Sequence, residues 1–489
     1  MNHYQSLGKW IQNIREKIDI TFLVSLLFVL LPFQRRFHGC IDSWSRKLTP
    51  PDFPLPEFFS KKIHLFITDF FFVVLVLILF FRFKATFREF FWEGPSKYLT
   101  LLFFTALTSL YFSITSHYAL QYLRLIQFSL AFLFFNGICY LRKRVNLLFF
   151  IHQFAWILVL ISCIQCAVGI YQYFHQHSLG LSFLGELDMR HFPFHNPEKQ
   201  RWFFDKSPSC EFLYRASGTF THPNILGGFL FCSTLASLYL FVKTQAKLKL
   251  IFLISMIFLQ MFTLYIAFSR SAILALLFAM FIWGFLQCKD LLRQKDFYSS
   301  TFRRFAILAS ALITSCALCI ALFYSQLTAR GGIINYNAVT AYADSERIQY
   351  LKMAVDMIKE HPVLGIGFNN FQLYENPIQP GYPGHLFFSK VHNIYLLIAS
   401  EMGLISGGLF LLFIFSILRK SWKGIGEHPG HHQGFQEKIF LLSVFCGLLF
   451  IGACDFYLLH TPHGRILFFG FAALLYSVSE SCLSKTRVF

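Results

Sequence analysis

Long apolar stretches, separated by short polar or charged segments, recur along the whole chain. Such stretches approach the roughly 20 residues that a helix needs to cross ~30 Å of hydrocarbon. Their spacing predicts twelve membrane-spanning helices. These lie near residues 18–33, 63–81, 98–114, 120–140, 147–173, 223–242, 249–268, 271–288, 305–324, 393–418, 439–458 and 465–480. The pattern therefore predicts an all-α polytopic membrane protein.

The polar intervals between these helices are unequal in length. With an even number of spans and both chain ends inside, the intervals at 174–222 and 325–392 are long outer loops. Long loops on one face of a bundle commonly carry its functional residues. The chain therefore divides into an N-terminal bundle with the first long loop (1–222), central helices (223–324), the large loop (325–392) and C-terminal helices (393–489).

One amphipathic helix is predicted inside the large loop. Asp344 is a suitable N-cap, and Pro362 marks the end of the helix. Apolar residues recur between them at steps of three and four, which is typical of one helix face. They are Ile348, Leu351, Ala354, Val355 and Ile358. This helix should lie on the bundle or on the membrane surface.

The composition excludes a soluble globular enzyme. The chain is 55% hydrophobic and 14% charged with a mean hydropathy of +0.53, whereas a soluble domain is about 25% charged. The net charge of +18 would favour nucleic-acid binding in a soluble protein. Here most of the excess falls in short loops that the positive-inside rule assigns to the cytoplasm. We therefore predict contact with a lipid bilayer and no nucleic-acid partner.

The first hairpin fits this topology poorly. Residues 34–62 would lie outside, yet they carry six Lys and Arg residues. The topology of this hairpin is therefore left open. Cys40 in this interval and Cys210 in the first long loop leave room for one disulfide, but not for a disulfide framework.

Metal-ligand patterns are weak throughout the chain. The pairs Cys163/Cys166 and Cys316/Cys319 have CxxC spacing but lie inside apolar runs, which favours packing. Glu186 and Asp188 form a close acidic pair in the first long loop, and solvation of that loop is the preferred interpretation. We predict no metal and no other cofactor.

Ionisable residues inside apolar spans cost a few kcal/mol each and are candidates for function. They are Asp69, Arg124, Arg270, Glu401, Asp455 and Arg465. Arg270 falls at the outer membrane boundary, and Arg215 and His392 fall at the same level. Arginine binds phosphate oxygens bidentately, and a neutral histidine is a common general base. This combination favours a lipid-linked diphosphate as the donor substrate.

Structural roles for the same residues remain open. Arg215 and Arg270 could be snorkelling anchors, and His392 could be a helix cap or an interfacial residue. Glu401, Asp455 and Arg465 could form an ion pair or a relay.

Short motifs in the second half of the chain resemble the O-antigen ligase and polymerase superfamily of bacterial envelope glycosyltransferases. The motifs follow one another in the family's order over about residues 205–420. They are Arg215 with Ser217-Gly218-Thr219-Phe220 and Pro223-Asn224, Phe268-Ser269-Arg270-Ser271, Arg347 with His361-Pro362-Val363-Leu364-Gly365-Ile366-Gly367, His392-Asn393-Ile394-Tyr395-Leu396, and Glu401-Met402-Gly403-Leu404.

This resemblance implies a glycosyltransferase of GT-C architecture in the bacterial inner membrane, with its active site facing the periplasm. Such enzymes move a glycan from undecaprenyl diphosphate to an acceptor sugar, inverting the anomeric centre without a metal. His392 would then be the general base, and Arg215 and Arg270 would bind the donor diphosphate. Arg347 and Asn393 are further candidates for substrate binding, although Arg347 could equally pack against Asp344 or Glu346.

Three activities fit these residues. The first is an O-antigen ligase that transfers a finished polysaccharide to lipid A-core. The second is a polymerase that joins lipid-linked repeat units onto a growing glycan. The third is a transporter of lipid-linked glycans without bond chemistry, although the clustering of polar residues at one face is not typical of midplane transport sites.

Overall fold

The protein is described by a computed structural model. It describes residues 86–113, 118–142, 145–186, 215–294, 300–331, 338–373, 390–423 and 434–486, with short pieces at 29–30, 36–37, 65–66 and 73–74. Several predictions lie outside these residues: the spans at 18–33 and most of 63–81, Asp69, Cys40, Cys210 and Asp188.

The described chain is almost entirely helical. A pair of two-residue antiparallel strands, β1 and β2, occurs near the N-terminus. The elements are β1 (Arg36–Phe37), β2 (Leu65–Phe66), α1 (Phe87–Phe91), α2 (Ser96–Tyr111), α3 (Tyr118–Leu141), α4 (Leu147–His175), α5 (Pro223–Lys243), α6 (Lys247–Ile266), α7 (Arg270–Gln294), α8 (Ser300–Gly331), α9 (Ala338–Glu360), α10 (Ile394–Lys423), α11 (Phe435–Cys454), α12 (Tyr457–His460) and α13 (Pro462–Thr486). Single 3₁₀ turns occur at Ser182–Leu184 and Phe371–Leu373.

Seven of the helices in the described chain are long and apolar enough to cross a membrane, namely α3, α4, α5, α6, α7, α10 and α11. Each coincides with a predicted span, so the interpretation as a polytopic helical membrane protein is confirmed. The predicted spans at 305–324 and 465–480 fall within α8 and α13, and the span at 98–114 overlaps α2, which ends at Tyr111. The total of twelve stays a prediction.

Helix α5 is the centre of the bundle. In its most apolar stretch of 18 residues, 94% of the residues are buried. The helix packs against α4, α6, α7 and α11. This helix is apolar on all sides, as expected for a helix surrounded by others. Gly227 allows its close approach to the start of α7, because a Cβ there would lie 2.6 Å from the Ser269 Cβ.

Helix α10 is broken at Gly403, which has φ 83° and ψ 170°. The break lets the segment after α9 bond to the helix: Gly367 N–H donates to the Glu401 carbonyl at 3.0 Å, and Leu404 N–H donates to the Pro362 carbonyl at 2.8 Å. Two motifs that are separate in the sequence are thus joined by their main chains.

Helix α9 differs from its prediction at its start. It begins at Ala338 rather than after Asp344, so Asp344 lies inside the helix and is not its N-cap. The predicted end is correct, since the helix stops at Glu360, before Pro362.

The buried face of α9 also differs from its prediction. It is formed by Tyr350, Met353, Ala354 and Met357. Three residues of the predicted face, Ile348, Leu351 and Val355, are exposed. The apolar residues therefore form two adjacent stripes, and packing against α10 selects only one of them.

The predicted span at 439–458 ends earlier than expected. Helix α11 stops at Cys454, and the Asp455 side chain then accepts bonds from the Phe456 and Tyr457 amides, at 2.8 and 3.4 Å. An aspartate that binds nearby main-chain amides starts a turn instead of continuing a helix. The short helix α12 follows this turn.

Candidate functional site

His392 lies immediately before α10, in a position fixed by Asn393. The Asn393 Oδ1 atom accepts bonds from the Tyr395 and Leu396 amides at 2.9 and 3.0 Å, which caps the helix. The Asn393 Nδ2 atom donates to the Ala453 carbonyl at 3.2 Å. The start of α10 is therefore tied to the end of α11, and Asn393 acts here as a structural cap.

The His392 ring is half-buried beside Phe456, with ring centroids 5.2 Å apart in an edge-to-face contact. Burial lowers the pKa of His392 below its usual 6.5; Arg347 also lowers it, while the Asp455 carboxylate and a hydrogen bond to the Lys390 main chain raise it. The lowered pKa keeps the imidazole neutral at pH 7. Its Nδ1 atom is buried and has no hydrogen-bond partner among the residues that the structure describes.

Asp455, whose charge acts on His392, is linked to Arg215 through the side chain of Asn224. Asp455 is 5% exposed and accepts a 2.7 Å bond from Asn224 Nδ2. The Asn224 Oδ1 atom in turn accepts a 2.9 Å bond from Arg215 Nη2. Three segments that are remote in sequence therefore meet at one end of the bundle.

Arg215 also holds the turn that precedes Arg270. Its Nε atom donates to the Ala267 carbonyl at 2.9 Å, and Nη2 donates to the Phe268 carbonyl at 3.2 Å. Phe268 has φ 48°, a left-handed conformation that costs a side-chain residue about 1–2 kcal/mol. The guanidinium therefore stabilises a strained turn through the carbonyls at the end of α6.

Arg270 is the first residue of α7, directly after this turn, and is half-buried. Because Arg215 bonds carbonyls two and three residues before Arg270, the two arginines occupy the same region. Arg347, on α9, is close enough to His392 to lower its pKa. The structure thus brings His392, Asn393, Arg215 and Arg347 around the Asp455 turn, with Arg270 beside Arg215.

Glutamines of α4 shape the same end of the bundle. Gln172 Oε1 accepts bonds from the Ser217 and Gly218 amides at 3.0 and 2.8 Å. The next amide of the loop, that of Thr219, donates to Gln165 Oε1 at 2.9 Å. Both glutamines are fully buried. They fix the loop that carries Arg215 onto α4, a role that an apolar span does not reveal in the sequence.

A second polar cluster lies close to His392. Lys390 and Glu401 form a 2.8 Å ion pair, with side chains 2% and 5% exposed. Arg465 lines the same cavity as this pair. The sequence left open an ion pair or relay of Glu401, Asp455 and Arg465. In the structure Glu401 pairs with Lys390, and Asp455 bonds to Asn224.

Sequence reasoning missed Lys390, and it named Asp455 only among the ionisable residues inside apolar spans. Lys390 lies two residues before the His392-Asn393 motif but is not part of it, and the sequence does not indicate that this lysine is buried. The sequence indicates Asp455 as a candidate because its carboxylate stands at the end of an apolar run. It does not indicate the partner of Asp455, because Asn224 is 231 residues away.

The described residues contain no cluster of three or more His, Cys, Asp or Glu side chains able to hold a metal ion. Glu186 bonds instead to the Leu179 and Leu181 amides and to Gln172, at 2.6–2.8 Å. Cys163, Cys166, Cys316 and Cys319 are free thiols within the bundle.

Comparison with known proteins supports the sequence motifs. Residues 251–413 match a family described as O-Antigen ligase. The chain is also 25% identical over 211 residues to the General O-oligosaccharyltransferase of Acinetobacter baylyi, a match that covers 42% of this chain and 35% of that protein. The chain thus spans about a third of the relative that it matches. For this part of the chain, the resemblance to the O-antigen ligase superfamily that the motifs predict is therefore confirmed.

Proposed function

We propose that this protein is a membrane glycosyltransferase of the O-antigen ligase type. It transfers a polysaccharide from undecaprenyl diphosphate to a sugar of lipid A-core, at the periplasmic face of the bacterial inner membrane. The observation that carries the proposal is the position of His392, which is neutral because of burial and lies near the Asp455 carboxylate and the Arg347 guanidinium. The matched family and relative support glycan transfer as the type of reaction.

His392 is the general base of this reaction. A sugar hydroxyl has a high pKa and is a poor nucleophile, so removal of its proton during attack contributes roughly 10²–10⁴ in rate. The imidazole takes that proton as the hydroxyl oxygen attacks the anomeric carbon from the face opposite the leaving group. Asp455 stabilises the imidazolium that forms, because its carboxylate favours the protonated ring.

Arg270 and Arg215 bind the donor diphosphate. As the bond between the anomeric carbon and the phosphate oxygen breaks, its electron pair moves onto the diphosphate. Fixed guanidinium groups stabilise that developing charge without reorganisation, so the reaction proceeds without a metal. Arg215 is held on the carbonyls at the end of α6 and positions the turn that presents Arg270.

Replacement of His392 tests the proposal directly. We expect His392→Ala to lower glycan transfer about 10²–10⁴-fold while donor binding is retained. His177→Ala is the matched control, since this histidine is exposed in a loop after α4. Transfer is measured with purified protein in detergent, and donor binding is measured separately. Wild-type turnover by His392→Ala would contradict the proposal and favour a transporter.

The glycan phenotype of a deletion strain separates ligase from polymerase. Free, full-length polymer that remains on its lipid carrier indicates a ligase. Single repeat units attached to lipid A-core indicate a polymerase and would overturn the assignment of acceptor.

A further inference from the structure

A basic cavity lies at the end of the bundle opposite the proposed active site, between the start of α2, the end of α10 and α13. Its volume is about 260 Å³, whereas one water needs about 10–15 Å³, so it has room for a phosphate ester. The lining residues that the structure describes include four cations and no carboxylate. The cations are Lys97, Arg419, Lys420 and Lys423. Lys420 also forms an ion pair with Glu480 of α13.

Two helices that run in opposite directions form the sides of this cavity. Helix α10 begins after His392 and ends at Lys423, so the cavity and His392 lie at opposite ends of it. Helix α2 begins at Ser96, beside the cavity. Further along α2, the Ser109 hydroxyl donates a 2.8 Å bond to the Glu401 carbonyl of α10. The two helices therefore pack antiparallel.

The cavity belongs to the end of the bundle that the positive-inside rule assigns to the cytoplasm. Arg142, directly after α3, forms a 2.7 Å ion pair with Glu93 in the turn before α2. Near the end of α7, the Lys289 ammonium lies 5.7 Å from the centroid of the Trp422 ring of α10. The predicted topology places the connections after α3, α7 and α10 on the inner side. These contacts gather them around one end of the bundle.

Helix α13 fixes both sides of the cavity. Gly94, in the turn before α2, has φ 58°, and a Cβ there would overlap the Tyr476 hydroxyl. Glycine therefore lets this turn lie directly against α13. On the other side, the buried Ser479 hydroxyl of α13 donates a 3.1 Å bond to the Ser421 hydroxyl of α10. The start of α2 and the end of α10 are thus both attached to α13, and the cavity between them is preformed.

Exposed apolar side chains continue from the cations along both helices. Two of them lie on the face of Lys97 in α2 and two on the face of Arg419 in α10, at steps of three and four residues. They are Leu101 and Phe104 on α2, and Phe415 and Leu412 on α10. Each apolar stripe extends about 10 Å from its cation at 1.5 Å per residue. This depth lies within the hydrocarbon of one leaflet, which is about 15 Å thick.

Charge and apolar surface together indicate the kind of ligand. Basic residues at helix ends are common on the cytoplasmic side, so charge alone would not indicate a ligand. Here cations of two helices that are remote in sequence line one cavity, and an apolar stripe continues from each helix. A phosphate among the cations would receive charge-assisted hydrogen bonds. Acyl chains attached to that phosphate would cover the stripes, as expected for an anionic phospholipid.

We propose that this basic cavity binds the phosphate of an anionic phospholipid of the cytoplasmic leaflet, and that the acyl chains of this lipid cover the exposed stripes of α2 and α10. The choice of leaflet follows from the predicted orientation. The lipid site lies at the other end of the bundle from His392, so it does not rest on the proposed function.

Lipid binding is measured by native mass spectrometry on delipidated full-length protein in detergent. The probes are phosphatidylglycerol, which is anionic, and phosphatidylcholine, which has no net charge. The wild-type protein should bind phosphatidylglycerol at least about tenfold more tightly. Lys97→Gln combined with Arg419→Gln should raise the Kd for phosphatidylglycerol roughly 10- to 30-fold, since each cation near an anionic lipid contributes about fivefold. The Kd for phosphatidylcholine should not change.

Lys247→Gln combined with Arg303→Gln is the matched control. It removes one exposed lysine and one exposed arginine at the same end of the bundle, where Arg304 bonds to the Thr244 carbonyl, but outside the cavity. The control should leave the Kd for phosphatidylglycerol unchanged. The proposal is overturned if the control weakens binding as much as the cavity variant does. It is also overturned if the wild-type protein binds both lipids equally, a comparison that needs no variant.

Glycerol 3-phosphate separates a lipid site from a site for soluble phosphate esters. It has the phosphate of the lipid but no acyl chains, so it should bind at least about tenfold more weakly than phosphatidylglycerol. Phe104→Ala combined with Phe415→Ala should weaken binding of the lipid and leave binding of glycerol 3-phosphate unchanged. Equal affinities of the wild-type protein for the lipid and for glycerol 3-phosphate would overturn the lipid assignment. Glycan transfer is not measured in these experiments, so their failure would leave the proposed function untouched.

Discussion

At the scale of single residues, the environment sets the chemistry of each group. His392 is neutral because it is buried, and the neighbouring charges of Asp455 and Arg347 act on it in opposite directions. Arg215 shows that one side chain can serve two purposes, because its guanidinium supports the Phe268 turn within the region proposed to bind diphosphate. Residue type alone does not separate these roles.

The pH dependence of transfer should report the charge next to His392. A base with a lowered pKa stays deprotonated through pH 6.5 and loses activity only as the pH falls further. Arg347→Gln removes a positive charge that lowers the pKa of His392, so the acidic limb of kcat/KM should move to higher pH. Lys352→Gln on the same helix is exposed and should leave the limb in place. An unchanged limb in Arg347→Gln would contradict the predicted proximity.

At the scale of secondary-structure elements, broken helices position the site. Helix α10 is interrupted at Gly403 so that the segment after α9 can bond to its main chain. Helix α11 ends at Cys454. The next residue, Asp455, bonds to Asn224, and Phe456 lies beside His392. In both places a local departure from helical geometry supplies contacts that a straight span would not make.

Gly403 should tolerate substitution poorly. Its backbone conformation is nearly exclusive to glycine, and a Cβ there would collide with the Val363 carbonyl. We expect Gly403→Ala to destabilise the protein by at least about 1–3 kcal/mol, seen as a lower thermal midpoint in detergent. Gly408→Ala, at an exposed position of the same helix with open space, should be neutral or slightly stabilising. Equal midpoints for both variants would rule out the strain argument.

At the scale of the whole molecule, the site and the basic loops lie at opposite ends of the bundle. Helices α5, α6 and α7 are joined by short connections and therefore alternate in direction. At one end of the bundle, Lys243 forms a 2.9 Å ion pair with Glu437, and Arg304 donates a 2.8 Å hydrogen bond to the Thr244 carbonyl. The other end holds the turn before Arg270. This separation agrees with the predicted clustering of polar site residues on one face.

Reporter fusions test the predicted orientation. Alkaline phosphatase needs disulfides and is active only in an oxidising compartment. A fusion after residue 177, at the end that holds Arg215, should be active, whereas a fusion after residue 245 should be inactive. Immunoblots of the fusions control for expression. The reverse pattern would place His392 in the cytoplasm and contradict a periplasmic site.

The sequence by itself determined the features that depend on local composition. Hydropathy located the seven candidate spans of the described chain within a few residues, because the cost of exposing polar groups to lipid acts on each segment separately. Pro362 marked the end of α9, and short motifs identified His392, Arg215 and Arg270 as candidates. The start of α9 at Ala338 was not predicted, since an aspartate can stand inside a helix as well as cap one.

Only the tertiary structure decided which of these groups meet. The bond between Asn224 and Asp455 joins residues 231 positions apart, and the ion pair of Lys390 with Glu401 joins the segment before α10 to the helix itself. Such pairings follow from how helices pack, and one chain's hydropathy carries no record of packing partners. The assembly of the base, its carboxylate and the surrounding cations is therefore a property of the fold, while the presence of each group is a property of the sequence.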